Sequence, residues 1–370
     1  MRTSEVVVVG GGVIGASVAF HLAREGIEVT LLERDTLAAG ASGAAAGMLA
    51  PTSDAREDGP FYRFAARSLA GFEALAAELL ERSGVDCEFV RAGTLRLAFD
   101  EADAERLRGL RDVLPGAGLE WLDPAALRTV EPHAASEVMG GLFAPAEAHV
   151  RSPLLARAYA AAARRLGARI ETGVEATGLE VTSGRVAAVE TRDGAWSTPR
   201  LVLCAGAWSA RGGVWPAGLA PPPVTPVRGQ IVSVDAPEPA PAATLLGPEG
   251  SYVVPKRDGS LVVGSTEEAV GFDARVTGAG LGTVLARGTR LVPAIAEATF
   301  RSAWAGLRPA SADGLPIIGP VPEIEGLAVA TGHHRNGVLL SPVTGSLVAD
   351  WVAGKGTPDE ARPFLPTRFS

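Results

Sequence analysis

Gly10, Gly12 and Gly15 stand at G-x-G-x-x-G spacing directly after Val6-Val7-Val8-Val9, and Glu33 follows eighteen residues beyond the last of them. These residue types can hold the ADP half of a dinucleotide. Gly10 permits a tight turn, Gly12 lets backbone approach a pyrophosphate, and Gly15 lets the following helix pack close to the strand. The helix that begins at Val13 and Ile14 offers its first N–H groups and positive dipole end to phosphate. Glu33 can accept hydrogen bonds from ribose hydroxyls. A lone glycine motif is weak evidence. Its place after an apolar strand, with the acid at the right distance, favours a cofactor over a ligand-free glycine turn.

A second segment of the same character lies far along the chain, at Thr331-Gly332-His333-His334-Arg335-Asn336-Gly337. A helix starting at Gly337 would aim its positive end at a bound group, which suits the charge a reduced flavin carries. Nicotinamide dehydrogenases usually keep the dinucleotide site in one continuous block, so the split pattern indicates FAD. Between the two segments, 38–50 is a run of small residues that suits backbone lying against a large flat ligand. The alternatives there are a flexible loop or a plain alanine helix.

The elements that must position these residues read as follows. β-branched 6–9 predicts a parallel strand covered on both faces. A helix over 13–25 closes at Gly26, and a strand over 28–32 brings Glu33 to its end. Apolar spacing predicts a helix over 60–83, opened by Pro60 and ended by Gly84. Residues 89–99 read as strand-rich, followed by helices over 101–113 and 154–166. Short strands are expected at 169–171, 176–182, 186–191 and 201–204. Proline-dense 216–226 reads as a linker. Strands at 227–234, 252–255 and 261–265 suggest an antiparallel sheet, and a strand at 327–330 leads through the 331–336 loop into a helix over 337–352.

The expected fold class is α/β: a FAD-binding Rossmann-like domain, glutathione-reductase-like, with an inserted antiparallel-sheet α+β substrate domain. Its pieces are 1–85, 149–220 and 308–370 for FAD, and 86–148 with 221–307 for substrate. A chain of 370 residues suits two such domains, and 47% hydrophobic residues suffice for their cores.

Formal net charge is -8 with no basic run, which argues against nucleic acid. No apolar run is long enough for a membrane helix, and the apolar start is the glycine-rich loop without a convincing cleavage site. Cys87 and Cys204 are far apart and flanked by apolar residues, so they read as buried thiols of a cytoplasmic protein. None of the five histidines pairs at metal-ligand spacing, and no metal is expected. His21 reads as structural; His133 and His149 fall in loop-like stretches.

Taken with these features, the chain resembles the glycine oxidase and D-amino-acid oxidase family of FAD-dependent amine oxidases nearly end to end. The likeness rests on 8–15, Ala44-Ala45-Ala46-Gly47-Met48-Leu49, Tyr252-Val253-Val254-Pro255, Trp304-Ala305-Gly306-Leu307-Arg308-Pro309 with Asp313-Gly314, and Gly332-His333-His334-Arg335-Asn336-Gly337. The resemblance implies that Val13, Ile14, Glu33, Arg34, Ala41, Ser42, Ala46, Gly47 and Met48 line FAD. It implies that the Val174 backbone holds the adenine end. His333, His334, Arg335, Asn336, Gly337, Val338 and Leu339 would wrap the flavin ring. It further implies a homo-oligomer.

By the same resemblance, Arg308 clamps the substrate carboxylate, with Tyr252 and Arg335 beside it. The chemistry agrees: a guanidinium grips a planar carboxylate with two parallel hydrogen bonds, and so fixes the Cα–H bond for transfer. The alternative for Arg308 is a structural salt bridge. Hydride transfer to a flavin needs no protein nucleophile, so none is assigned. Two departures matter. Some glycine oxidases carry a histidine two residues before the tyrosine, where this chain has Gly250. Sarcosine oxidase relatives hold flavin through a cysteine near the arginine, which is absent here, so FAD is expected to be noncovalent.

The expected activity is oxidation of glycine or another small amino acid, with O2 as acceptor and H2O2 as product, or release of the imine for thiamin thiazole synthesis. D-amino-acid or N-methyl amino acid oxidation, a quinone-linked dehydrogenase, and a structural flavin subunit are the alternatives.

Overall fold

A computed structural model of the chain describes residues 2–211 and 213–369. Its first layer is a six-stranded sheet in the order Ile317–Pro320, Leu327–Thr331, Leu201–Leu203, Val6–Val9, Val29–Glu33, Arg169–Thr172. All neighbours run parallel except the outer pair, Ile317–Pro320 and Leu327–Thr331. Side chains alternate across a strand, and both faces are covered. Val6, Val8 and Leu31 pack beneath the helices Val13–Arg24, Ser152–Arg165 and Gly337–Val352. Val7, Val9 and Leu32 pack on the other side with Trp196 and Val189 of a smaller four-stranded sheet.

The second large sheet has eight strands, ordered Phe300–Ser311, Val224–Asp235, Ser260–Gly264, Tyr252–Pro255, Thr244–Leu246, Thr94–Ala98, Gly140–Ala144, Glu120–Leu122. It is antiparallel except between Thr244–Leu246 and Thr94–Ala98, which run parallel. That pair corrects the all-antiparallel expectation. The two strands come from distant stretches, so no hairpin dictates their direction. Helix Gly278–Leu291 covers one face, burying Val284 and Leu291 against Val232 and Val263.

Several elements differ from the sequence reading. The stretch 60–83 forms two helices, Pro60–Ala70 and Phe72–Ser83, with Gly71 (φ -89°, ψ -4°) at the junction. Glycine is the weakest helix former after proline, and the chain turns there. Gly84 adopts φ +73° and closes the second helix as expected. Strand Val224–Asp235 begins inside the proline-dense stretch. Residues 224–227 have a strand partner on one side only, so the missing N–H of Pro226 costs the sheet little. Strand Phe300–Ser311 runs unbroken through the boundary expected at 307/308 and places Arg308 within a strand, not between two. His149 belongs to a short strand paired with Met48, not to a loop.

Among the described residues no helix is long and apolar enough to cross a membrane, and no group of His, Cys, Asp and Glu could hold a metal ion.

Candidate active site

The carboxyl ends of the central parallel strands open on a cavity of about 1440 Å³, counting its open mouth. Crevices at strand ends are where open parallel sheets bind nucleotides. Gly10, Gly12, Val13 and Ile14 form one wall. Gly10 has φ +113°, and a Cβ there would lie 2.4 Å from the Cys204 carbonyl oxygen. A Cβ on Gly15 would lie 1.9 Å from the Gly10 carbonyl oxygen, so this glycine brings helix and turn together without itself facing the cavity.

Helix polarity makes the wall electropositive. The Val13 N–H donates to Ser42 Oγ at 2.9 Å, while the N–H groups of Ile14 and Gly15 meet no acceptor among the described residues. The first turn carries no acid. Helix Gly337–Val352 likewise begins at the cavity with no acid in its first turn, and Gly337 and Val338 line the wall. Two positive helix ends therefore converge on one space, which suits an anionic or electron-rich ligand.

Glu33, Arg34, Ala41, Ser42 and Val174 line the same cavity. The Glu33 carboxylate accepts from Gly11 N–H at 2.6 Å and Asp35 N–H at 2.8 Å, which leaves further lone pairs for hydroxyls. Arg34 stacks on Trp208, its guanidinium carbon 4.3 Å from the ring centre. Trp208, Arg211, Leu307 and Pro309 also form walls that sequence reading did not name. The 201–204 strand and the Ala205-Gly206 turn were the available signal, because a ligand sits beyond such strand ends.

A smaller cavity of about 590 Å³, again counting its mouth, adjoins the first. The two share Ala41, Ala45, His334, Arg335 and Val338. Arg308, Tyr252, Ala46, Gly47 and Met48 line only the smaller one. Arg308 donates to the Thr266 carbonyl at 3.1 Å and to Ser265 Oγ at 2.6 Å, and the Gly229 backbone lies under its guanidinium. A Cβ on Gly229 would fall 2.3 Å from Arg308 Nη2. Burial lowers the Arg308 pKa, yet a guanidinium stays charged. The Tyr252 ring rests on Gly264, and burial raises its phenol pKa against the pull of Arg308, so the hydroxyl remains a donor.

The adjacent histidines diverge. His333 is buried with Nε2 3.1 Å from Thr344 Oγ1, and burial drives its pKa down to about 3, so the ring is neutral. His334 takes φ +46° and turns towards Glu267, its Nε2 3.6 Å from the carboxylate. Two expected cofactor residues face elsewhere. The Asn336 amide donates to Asp54 at 2.8 Å, and Leu339 is buried with its carbonyl accepting from Ser68. Neither lines the cavity.

The sequence alone gives Lys256 no role. Its buried ammonium donates to the carbonyls of Ala46 at 2.7 Å and Val150 at 3.0 Å, tying the 46–48 wall to the 148–152 segment. Burial, aided by Arg151, lowers its pKa to about 7.

The family of FAD dependent oxidoreductases designated DAO matches residues 5–351. The chain belongs to this family. Glycine oxidase of Geobacillus kaustophilus (strain HTA426) is 40% identical over 368 residues, 98% of this chain and 97% of that protein. The bifunctional protein ThiO/ThiG of Trichormus variabilis (strain ATCC 29413 / PCC 7937) is 35% identical over 99% of this chain, which spans 55% of that protein. The crystal structure of glycine oxidase from Geobacillus kaustophilus has a TM-score of 0.95 at 39% identity, covering 100% of this chain and 99% of the other.

This member of the DAO family is a FAD-dependent amine oxidase, and the larger cavity passes the physical test for its cofactor. Gly10 and Gly12 clear space where side chains would intrude, two helix ends supply unpaired N–H groups, and Glu33 stands at the strand end. Cys204 also lines this cavity, but burial raises its thiol pKa strongly and keeps it protonated.

Proposed function

We propose that this oxidase deaminates glycine or another small amino acid, using noncovalently held FAD and O2, with an oxo acid, ammonia and H2O2 as products. The single observation that carries the reading is the shared wall. A carboxylate held by Arg308 in the small cavity would lie against the large cavity that suits the dinucleotide.

Bound FAD would supply the electron-accepting chemistry, taking up the hydride lost from the substrate Cα. The protein's part is orientation. Arg308 offers the N–H groups not used on Ser265 and Thr266 to the carboxylate, and the Tyr252 hydroxyl can donate beside it. With the carboxylate fixed, the Cα–H bond has one direction to face. Met48, Ala46 and Val338 keep the cavity apolar around it, which favours the neutral amine and excludes water. Ala46, Gly47 and Met48 would line FAD at its flavin end, where the two cavities adjoin, and the Val174 backbone would hold its adenine end.

In this reading 1–85, 149–220 and 308–370 carry the cofactor, and 86–148 with 221–307 carry the substrate. The bifunctional relative, matched over about half its length, supports a role in supplying an imine to thiamin thiazole formation.

The test is anaerobic mixing of the yellow protein with glycine, sarcosine and D-alanine in turn. Bleaching of the flavin band, reversed by air with peroxide formed, supports the proposal and ranks the substrates. Bleaching that only an artificial acceptor reverses would indicate a dehydrogenase. No bleaching by any amine would overturn it.

A further inference from the structure

The small cavity holds two guanidinium groups, and one of them has no occupation within the protein. Arg308 is engaged by Ser265 and Thr266. Arg335 lines the same cavity and forms no side-chain hydrogen bond or ion pair among the described residues. The carboxylates nearby are turned to other partners. Glu267 leans on His334, Glu249 pairs with Arg287, and Asp54 accepts from Asn336. His334 is held towards its neutral form by burial, and Tyr252 is protonated. Arg308 and Arg335 therefore face one space as like charges, each disfavouring the other's approach. One carboxylate neutralises only one of them.

Gly250 leaves the approach to Arg335 open. It has φ +70°, and a Cβ there would lie 3.4 Å from Arg335 Nη1, so any side chain at this position would lean over the guanidinium. Where some glycine oxidases carry a histidine, Gly250 widens the pocket by omitting a side chain. The structure shows that the widened space lies beside Arg335.

We propose that Arg335 and the space beside Gly250 form a subsite for a second carboxylate, so that the site prefers amino acids carrying two acidic groups over monocarboxylic ones. The inference rests on the reading of Arg308 as the first carboxylate clamp. Arg308 takes the carboxylate next to the reacting carbon, and Arg335 takes one on the far arm of the amine or on a side chain.

The experiment uses the FAD-loaded protein and unreactive oxygen or carbon analogues, read by perturbation of the flavin band. Diglycolate is compared with methoxyacetate, and succinate with butyrate. The expected result is at least roughly tenfold tighter binding of the dianion in one pair, a ratio that falls towards one in Arg335→Gln and is partly restored in Arg335→Lys. The responding pair tells whether the second acid sits across the heteroatom or on carbon. Equal binding within both pairs would mean one carboxylate bridges both arginines, and would overturn the proposal, as would a preference that survives Arg335→Gln. Because these ligands do not react, absence of amine turnover would count against the oxidase reading without touching this result. Retained flavin in each variant shows that it has folded.

Discussion

The two large sheets build their cavities from different materials. The six-stranded parallel sheet presents backbone: glycine turns, helix ends and the carbonyl face of strand termini. The eight-stranded sheet presents side chains: Arg308 and Tyr252 project from its strands over glycines at 229 and 264. A site made of backbone demands small residues at fixed spacing, because any Cβ would collide. A site made of side chains needs only that two residues, far apart in sequence, reach strands of one sheet. Glycine serves in both places, clearing room for a ligand in one and for the protein's own guanidinium and phenol rings in the other.

The largest expected effect tests the side-chain half. Arg308→Met should lower kcat/KM for the best amino acid substrate by about 30- to 5,000-fold, since truncating a hydrogen-bonded charge partner costs about 2–5 kcal/mol. Flavin should remain bound, because Arg308 lines only the smaller cavity. Loss of flavin together with activity would erase the proposed division of labour.

Next comes the backbone half. Gly15→Ala should cost about 1–3 kcal/mol of stability and weaken FAD retention, because its Cβ must displace the Gly10 carbonyl from 1.9 Å. Denaturant midpoints and the ratio of flavin to protein absorbance measure both, and unchanged values would refute the close-approach argument.

Lys256 joins the halves, and its test is a pH profile. A lysine whose folded pKa is near 7, against an ordinary value of 10.5, binds its proton more readily in the unfolded chain. Its contribution is therefore most favourable above 10.5, declines as pH falls, and is least favourable below about 7. The stability of the wild type minus that of Lys256→Met should rise as pH is raised through this window. Parallel melting curves from about pH 7 to about 9.5 would contradict it.

The smallest effect is a control on glycine itself. Gly71 has φ -89°, and a methyl group added there would meet nothing within 4 Å, so Gly71→Ala should stabilise the protein by about 0.4–1 kcal/mol. A destabilised variant, seen as a lower denaturant midpoint, would show that the break between the two helices requires glycine after all.

Legibility in the sequence followed the same division. The helices at 101–113 and 337–352 coincide with the observed Glu101–Val113 and Gly337–Val352, because their apolar spacing and end signals are local. The break at Gly71 was hidden because the apolar spacing continues on both sides of it. The start of strand Val224–Asp235 is hidden in the sequence because Pro226 signals a turn, and only the structure shows that its second side is unpaired. Asn336 and Leu339 share a segment with residues that do line the cavity, and only the helix rotation separates them. Lys256 resembles any surface lysine until the carbonyls of Ala46 and Val150 come within reach of it.

The dinucleotide turn is written into the order of residues, since Gly10, Gly12, Gly15 and Glu33 act through backbone geometry within one strand-helix-strand unit. Only the packed molecule brings the Arg308 cavity to share a wall with that turn's cavity, and leaves Arg335 facing it without a protein partner among the described residues. The reason is range. A turn is governed by sterics between near neighbours, whereas the meeting of 252, 308 and 335 depends on how two sheets pack, which no local spacing encodes.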